Sequence, residues 1–298
     1  MSKATEFSND LAQAVATGGA ATVLVDARRR FPASGIAFAA DLVLTADHVV
    51  TREDKLAVGT ADGKMVSAVL AGRDPGSDLA LLRLTDKILA PAALAASPAR
   101  AGQLVLALGR PSSNGVQASW GIVVAIGGPT RTGRGGLLDQ YIQTETTPYP
   151  GFSGGPLVDT EGQVIGLNTS GLTPGSALTI PANMAWRVGE ALAQFGAVSR
   201  GYLGLRTQIV ELTESTRQGL KLSQEQGLLV TWLEPDGPAQ RGGMLVGDIL
   251  TGIAGSPVND PDDIFVSLTS ETIGKSVPIA IVRGGKKESL NVTVGKRN

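Results

Sequence analysis

Only one imidazole is available to this chain, at His48, and it has no thiol at all. Nucleophilic chemistry is therefore left to hydroxyls, and the stretch PGFSGGPLVD, residues 150–159, sets Ser153 among glycines. Serine hydrolysis requires a hydroxyl, an imidazole to take its proton, and a carboxylate to orient that imidazole and stabilise its charged form. His48 lies in LTADHVV, at the end of the apolar run LVLTA. By itself such a histidine is as well explained by a structural role. Asp78, in GSDLALLRL, reads alone as a turn residue. If its flanking leucines are buried, however, its carboxylate needs a partner, and a histidine N–H suits. Gly151, Gly154 and Gly155 permit backbone conformations that bulkier residues resist, so the N–H groups of Gly151 and Ser153 can converge as an oxyanion hole. Glycine-rich turns are common; the stronger signal is the order His48, Asp78, Ser153, each at a strand edge.

The elements that must position these residues are short. Apolar or alternating runs at 21–27, 34–46, 55–60, 64–73, 79–84 and 103–109, then at 119–128, 139–145, 155–160 and 163–171, are separated by Gly, Pro, Asp and Asn. Such spacing suits barrels or sandwiches. An amphipathic helix is expected near Phe7–Ala16, with Phe7, Leu11 and Val15 on one face, and another over 181–196, opened by Pro181 and closed by Gly196. A new rhythm of strands then starts, with helices at PAQRGG and over 261–271, placing a domain boundary near residue 198.

Composition agrees with a mainly β protein of two domains. Gly is 39 of 298 residues while charged residues are 18%, which disfavours helical bundles. The net charge of −1 gives no general attraction for nucleic acid or anionic membrane. Arg28–Arg30 and Lys286–Lys287 are the only tight basic runs and read as solvated surface. No cysteine and one histidine leave no thiolate or histidine-rich metal site, so no such metal site is expected. No apolar run reaches a membrane span of about 20 residues. The N-terminus lacks a secretory leader, so the chain as written reads as cytoplasmic, the alternative being periplasmic or extracytoplasmic with a signal removed.

The stretches LTADHVV, SDLALLRL, QTETTPYPGFSGGPLVD, GLNTS and LTIPANM resemble, in this order, the chymotrypsin-like serine proteases and, within them, the HtrA/Deg family. RGYLGL (200–205) resembles the carboxylate-binding loop of PDZ domains, and GPAQRGGMLVGDILTGIAGSPV the segment that follows it. The resemblance implies two perpendicular six-stranded barrels over 1–198, a PDZ domain (a small β-barrel or sandwich with two helices) over 199–298, and no cofactor. It makes Ser153 the nucleophile, His48 the general base and acid, Asp78 the orienting carboxylate, and the Gly151–Phe152–Ser153 stretch the oxyanion loop. The family loop usually reads GNSGGP, so Phe152 departs from the pattern, as does Asp47 before the histidine.

A cut after Lys or Arg would want a carboxylate where Thr147 stands, and Glu145 is poorly aligned for that role. With walls from Leu167–Gly171 (Leu167, Thr169, Ser170, Gly171) and Ala177–Ile180, the pocket is expected to take Val, Ala, Leu or Ile. In the PDZ domain, N–H groups of Leu203, Gly204 and Leu205, beside Tyr202, would face a chain-terminal carboxylate while the peptide adds a strand. Phe265 would line that groove or sit in the core. The implied substrates are unfolded polypeptides and exposed apolar C-termini. Also implied are a homo-oligomer, a trimer built on the N-terminal segment with Phe7 as a candidate contact, and regulation through loops 110–118, 130–138, 148–152 and 171–177. The competing readings are a catalytically silent PDZ-bearing chaperone or scaffold, and an esterase using the same triad.

Overall fold

The structure, a computed structural model, describes residues 2–133, 136–173, 176–268 and 270–297. Arg134–Gly135 of the loop 130–138, Pro174–Gly175 of the loop 171–177, and Thr269 of the expected helix 261–271 lie outside the described residues. The chain forms two compact units, Met1–Val198 and Ser199–Asn298.

In the first unit, helix α1 (Lys3–Ala20) leads into strands β1 (Thr22–Asp26), β2 (Ala33–Ala39), β3 (Leu42–Ala46), β4 (Leu56–Gly59), β5 (Met65–Asp74) and β6 (Leu79–Leu84). They close into a barrel in the order β1-β2-β3-β6-β5-β4. The run 34–46 is thus two strands, because Ala40–Asp41 turns the chain between β2 and β3. A second barrel follows from β7 (Leu104–Gly109) and β8 (Gln117–Gly127), a two-stranded pair β9 (Thr130–Arg131) and β10 (Leu137–Leu138), then β11 (Tyr141–Thr144), β12 (Pro156–Val158), β13 (Val164–Thr173) and β14 (Ser176–Pro181). Its order is β11-β14-β13-β12-β7-β8. The first barrel fills with Val23, Val25, Val43, Val58 and Leu82, close-packed aliphatics contributed by alternating strand positions.

Helix α1 is longer than its apolar periodicity suggests, because the Ser2 hydroxyl caps it by accepting from Thr5 N. Ala14 is buried and Leu11 and Val15 pack on the core, whereas Phe7 is 47% exposed and lies outside that core. Helix α2 (Ala182–Phe195) buries Val188 and Leu192 and stops at Gly196, whose φ of 72° is left-handed.

Phe152 is among the most deeply buried large side chains, 2% exposed, packed with Val105, Ala107, Val123, Ile142, Leu157 and Ile165. Its ring also meets Tyr149 edge-on at 5.5 Å between centroids. The second barrel accepts it because position 109 has no side chain: a Cβ built there would stand 2.5 Å from Phe152 Cδ1.

The second unit has strands β15 (Arg200–Tyr202), β16 (Leu205–Glu211), β17 (Gln226–Leu233), β18 (Ile249–Ile253), β19 (Ser256–Pro257), β20 (Ser276–Arg283), β21 (Lys286–Thr293) and β22 (Gly295–Arg297). Its main sheet runs β16-β17-β18-β20-β21, with β19 beside β18, while β15 pairs with β22. Among the described residues it carries α3 (Glu214–Leu220), α4 (Pro238–Arg241) and α5 (Pro261–Ser267). Helix α3 goes beyond the two helices expected; Thr213 caps it by accepting from Thr216 N. The α5 helix ends at Ser267, shorter than the expected 261–271.

Asp248 is buried and accepts from Arg283 Nε at 2.8 Å, from a terminal Arg283 nitrogen at 2.7 Å and from Leu245 N at 2.8 Å. Burial presses its carboxyl upward, but the Arg283 and Leu245 hydrogen bonds and the Arg283 charge outweigh that and hold it below the ordinary carboxylate value. A group depressed on folding stabilises above its unfolded value and loses that contribution as pH falls through the lowered folded one. Acid titration of the second unit, followed by circular dichroism, should therefore show stability declining below the ordinary carboxylate range, with a smaller decline in Asp248→Asn. In the first unit, Phe152→Ala should cost about 3–5 kcal/mol in urea unfolding, as a cavity opened in a packed core.

Candidate active site

β3 delivers His48 into a 3-10 turn, Asp47–Val49, that ends the strand. Asp78 sits in the turn before β6, the neighbour of β3 in the barrel, so sheet pairing alone brings the two residues together. The register sets Ala46 opposite Leu79, and Asp47 N donates to Asp78 O at 3.0 Å. Asp78 has φ of 55°, rare for a residue with a side chain. Its fully buried carboxylate accepts from His48 N at 2.8 Å through Oδ1, while Oδ2 lies 2.8 Å from His48 Nδ1. Thr169 Oγ1 also donates to Oδ2. These bonds orient the ring with Nδ1 towards the Asp78 carboxylate and leave Nε2 without a share in them. Gly171 closes over the pair: a Cβ there would be 2.5 Å from both His48 Nδ1 and Asp78 Oδ2. Asp47, the other departure from the family pattern, is buried and accepts from Arg73 Nε at 2.7 Å.

The loop that carries Ser153 belongs to the second barrel but is held by the first. Ser34, buried at the start of β2, donates from Oγ to Gly151 O at 2.6 Å and from N to Ser153 O at 3.2 Å. The same Oγ accepts from Arg110 N at 2.8 Å, and Ser34 O accepts from Thr45 Oγ1 at 2.7 Å. From the second barrel, Asn168 O accepts from Gly154 N at 2.8 Å and Asn168 N donates to Gly155 O at 2.9 Å. Gly151 has φ of 89°, a left-handed turn that fits glycine. The N–H groups of Gly151 and Ser153 donate to nothing among the described residues. Phe152 N is different: it donates to Tyr149 O at 3.0 Å, which takes it out of the donor set expected for the oxyanion loop.

Ser153 Oγ lies 3.1 Å from Ser170 Oγ, and no hydrogen bond joins it to the His48 ring among the described residues. Both residues nevertheless line one cavity of about 510 Å³. Its walls include Thr144, Thr146, Asn168, Thr169, Ser170, Ala177, Leu178 and Thr179. Ser170, Thr169 and Ala177 are thus where the sequence led us to expect pocket walls. Leu167 and Ile180 are instead fully buried in the core, because they are opposite each other in the β13–β14 register and share its inward face. Thr147 is exposed beside the cavity, its N donating to Ser119 Oγ at 2.7 Å, and Gly171 covers the His48–Asp78 pair rather than the pocket. Ser34 escaped the sequence reading, although a serine inside an apolar strand run, needing partners if buried, is a usable signal. Arg28, Arg30 and Phe31 also line the cavity, which the solvated-surface reading of the basic run did not anticipate.

In the second unit, Leu203 is buried in the core and its carbonyl accepts from Ala239 N at 2.8 Å. Gly204 turns the chain with φ of 74°. The N–H groups of Leu203 and Gly204 donate to nothing among the described residues, whereas Tyr202 belongs to β15 and Leu205 opens β16. Among the described residues β16 pairs only with β17, which leaves its other edge without a paired strand. Phe265, on α5, is 40% exposed and lies outside the core of this unit.

A trypsin-like peptidase domain is matched over residues 33–167 and a PDZ domain over 201–294. The chain is similar to a probable periplasmic serine endoprotease DegP-like of Pseudomonas fluorescens, 35% identical over 269 residues, which make up 88% of this chain and 56% of that protein. Its similarity to the protein of the same name in Rhizobium meliloti is 33% over 276 residues, 90% of this chain and 54% of the other. The chain spans about half the length of the curated relatives it matches. Among solved structures, the HtrA-type protease AlgW with decapeptide superposes with a TM-score of 0.81 at 30% identity, covering 97% of this chain and 99% of that one. The serine endoprotease from Yersinia pestis gives 0.78 at 27%, covering 97% and 98%. The cytoplasmic reading of the N-terminus is corrected here: these relatives are named periplasmic, and a cleaved leader leaves no trace in the sequence that remains. Two closed barrels, a trypsin-like domain, a PDZ domain and likeness to HtrA proteases along almost the whole chain establish that the chain belongs to the HtrA family of serine proteases.

Proposed function

We propose that the chain is a serine endopeptidase acting on unfolded polypeptides, with His48, Asp78 and Ser153 as its catalytic triad. The observation that carries this reading is the buried Asp78 carboxylate 2.8 Å from His48 Nδ1, in a ring that opens on the same cavity as Ser153. Ser153 Oγ turns from Ser170 towards His48 Nε2, gives it its proton and bonds the scissile carbonyl carbon. The carbonyl oxygen, now negative, takes hydrogen bonds from the N–H groups of Gly151 and Ser153. As the C–N bond breaks, His48 returns the proton to the leaving amine, and a water repeats the sequence to release the acyl group. Asp78 holds the ring in place through Nδ1 and stabilises the imidazolium.

Threonines, Ala177 and Leu178 line the pocket, and no carboxylate is there to receive a basic side chain among the described residues. Small and medium apolar residues, Val, Ala, Leu or Ile, are therefore the proposed residues before the cut. The exposed edge of β16 and the unused N–H groups of Leu203 and Gly204 suit an apolar C-terminal peptide with its carboxylate at the 202–205 turn.

The Ser153–Ser170 contact favours one rival, a binding protein whose serine is idle. Incubation with β-casein separates them. The protease reading expects cleavage that Ser153→Ala abolishes; no cleavage by either protein, with C-terminal peptide binding retained, establishes the binding protein. His48→Ala should abolish the same cleavage, and cleavage retained by that variant would remove His48 as base. Ser34→Ala should lower kcat about tenfold with KM little changed, since it unfastens Gly151 O without touching the pocket wall.

A further inference from the structure

The connection between β1 and β2, residues 27–32, carries Arg28, Arg29, Arg30 and Phe31 and forms part of the cavity that holds His48 and Ser153. Arg28 is spent on the loop itself: Nε donates to Phe31 O, and a terminal nitrogen donates to Pro32 O at 3.2 Å. Those bonds hold the turn in shape, and Ser34, two residues on, pins it to the nucleophile loop. Arg30 is exposed, lines the cavity, and makes no hydrogen bond or ion pair among the described residues. Phe31, beside it, is 69% exposed. No Asp or Glu lines the cavity among the described residues, and the Asp78 carboxylate is buried and committed to His48. An unspent guanidinium at the mouth of a site without anions is matched by a carboxylate from the substrate, which its planar fork binds well.

We propose that the β1–β2 loop is a substrate subsite, with Arg30 as its specificity residue, that selects peptides carrying an acidic side chain within three residues of the scissile bond. Phe31 gives the same segment an apolar contact. The inference rests on the protease reading above and adds to it a charge preference that the pocket for the cleaved residue does not supply.

The test uses the full chain and quenched fluorescent peptides with Val before the cut. Their C-termini are amidated so that carboxylate capture by the second unit does not contribute. Glu, Gln or Lys is placed at each position from three before to three after the scissile bond. At one or more positions kcat/KM should rank Glu over Gln over Lys, by about two- to fivefold per step at low salt, the size of one exposed ion pair. High salt should shrink the ranking, Arg30→Glu should invert it, and Arg100→Glu, the same charge change outside the cavity, should preserve it. Equal values for the three peptides at every position, or a ranking unmoved by Arg30→Glu, would overturn the subsite. Binding of the same labelled peptides to Ser153→Ala, read by fluorescence anisotropy, keeps the two readings apart. If no peptide is cleaved but binding still follows charge through Arg30, the protease reading fails and the subsite stands; if binding is indifferent to charge, the subsite fails as well.

Discussion

One buried serine side chain and its backbone join the halves of the site. Ser34 belongs to the first barrel, yet its Oγ and N hold the carbonyls of Gly151 and Ser153 in the second. A barrel supplies rigidity along its strands but nothing that fixes its rim to another barrel's rim. Here that fixing is done by hydrogen bonds in a dry seam, where each unmade bond is costly. Because the imidazole comes from the first barrel and the hydroxyl from the second, the accuracy of their approach is the accuracy of this seam. Arg110 N and Thr45 Oγ1 complete Ser34's remaining bonding capacity, so neither its hydroxyl nor its carbonyl is left to drift.

The imidazole side is built by a different means. His48 and Asp78 stand at neighbouring strand ends, and the β3–β6 register would bring them together whatever their identities. What the sequence adds is a backbone bond from Asp47, the hydroxyl of Thr169 and the closeness that Gly171 allows. Precision of this kind comes from secondary structure and is spread over many bonds, whereas the seam at Ser34 concentrates it in a few.

The residues of the proposed triad stand out in the sequence because the proposed chemistry admits few residue types: one histidine leaves one candidate base, and Ser153 is set among glycines. The barrel strands were legible by alternation, apart from β14 and the hairpin hidden in residues 34–46. The pocket wall was only half legible. Ser170 and Leu167 are three residues apart, but which of them faces the cavity depends on cross-strand register and a bulge in β13, neither of which periodicity in one strand can reveal. Arginines 28–30 look like any solvated run until the fold places Arg28 and Arg30 in the wall of the cavity that Ser153 lines.

Phe152 replaces the polar residue usual in the family loop, and Gly109 is the space it occupies. The two positions are consequently one design variable. A corresponding loop with a small polar residue in place of Phe152 would leave a void in the second barrel, and this loop transplanted into a relative with a side chain at the equivalent of position 109 would not seat. Exchange of loops within the family thus has to move a residue 43 positions away in sequence, on β7, together with the loop itself.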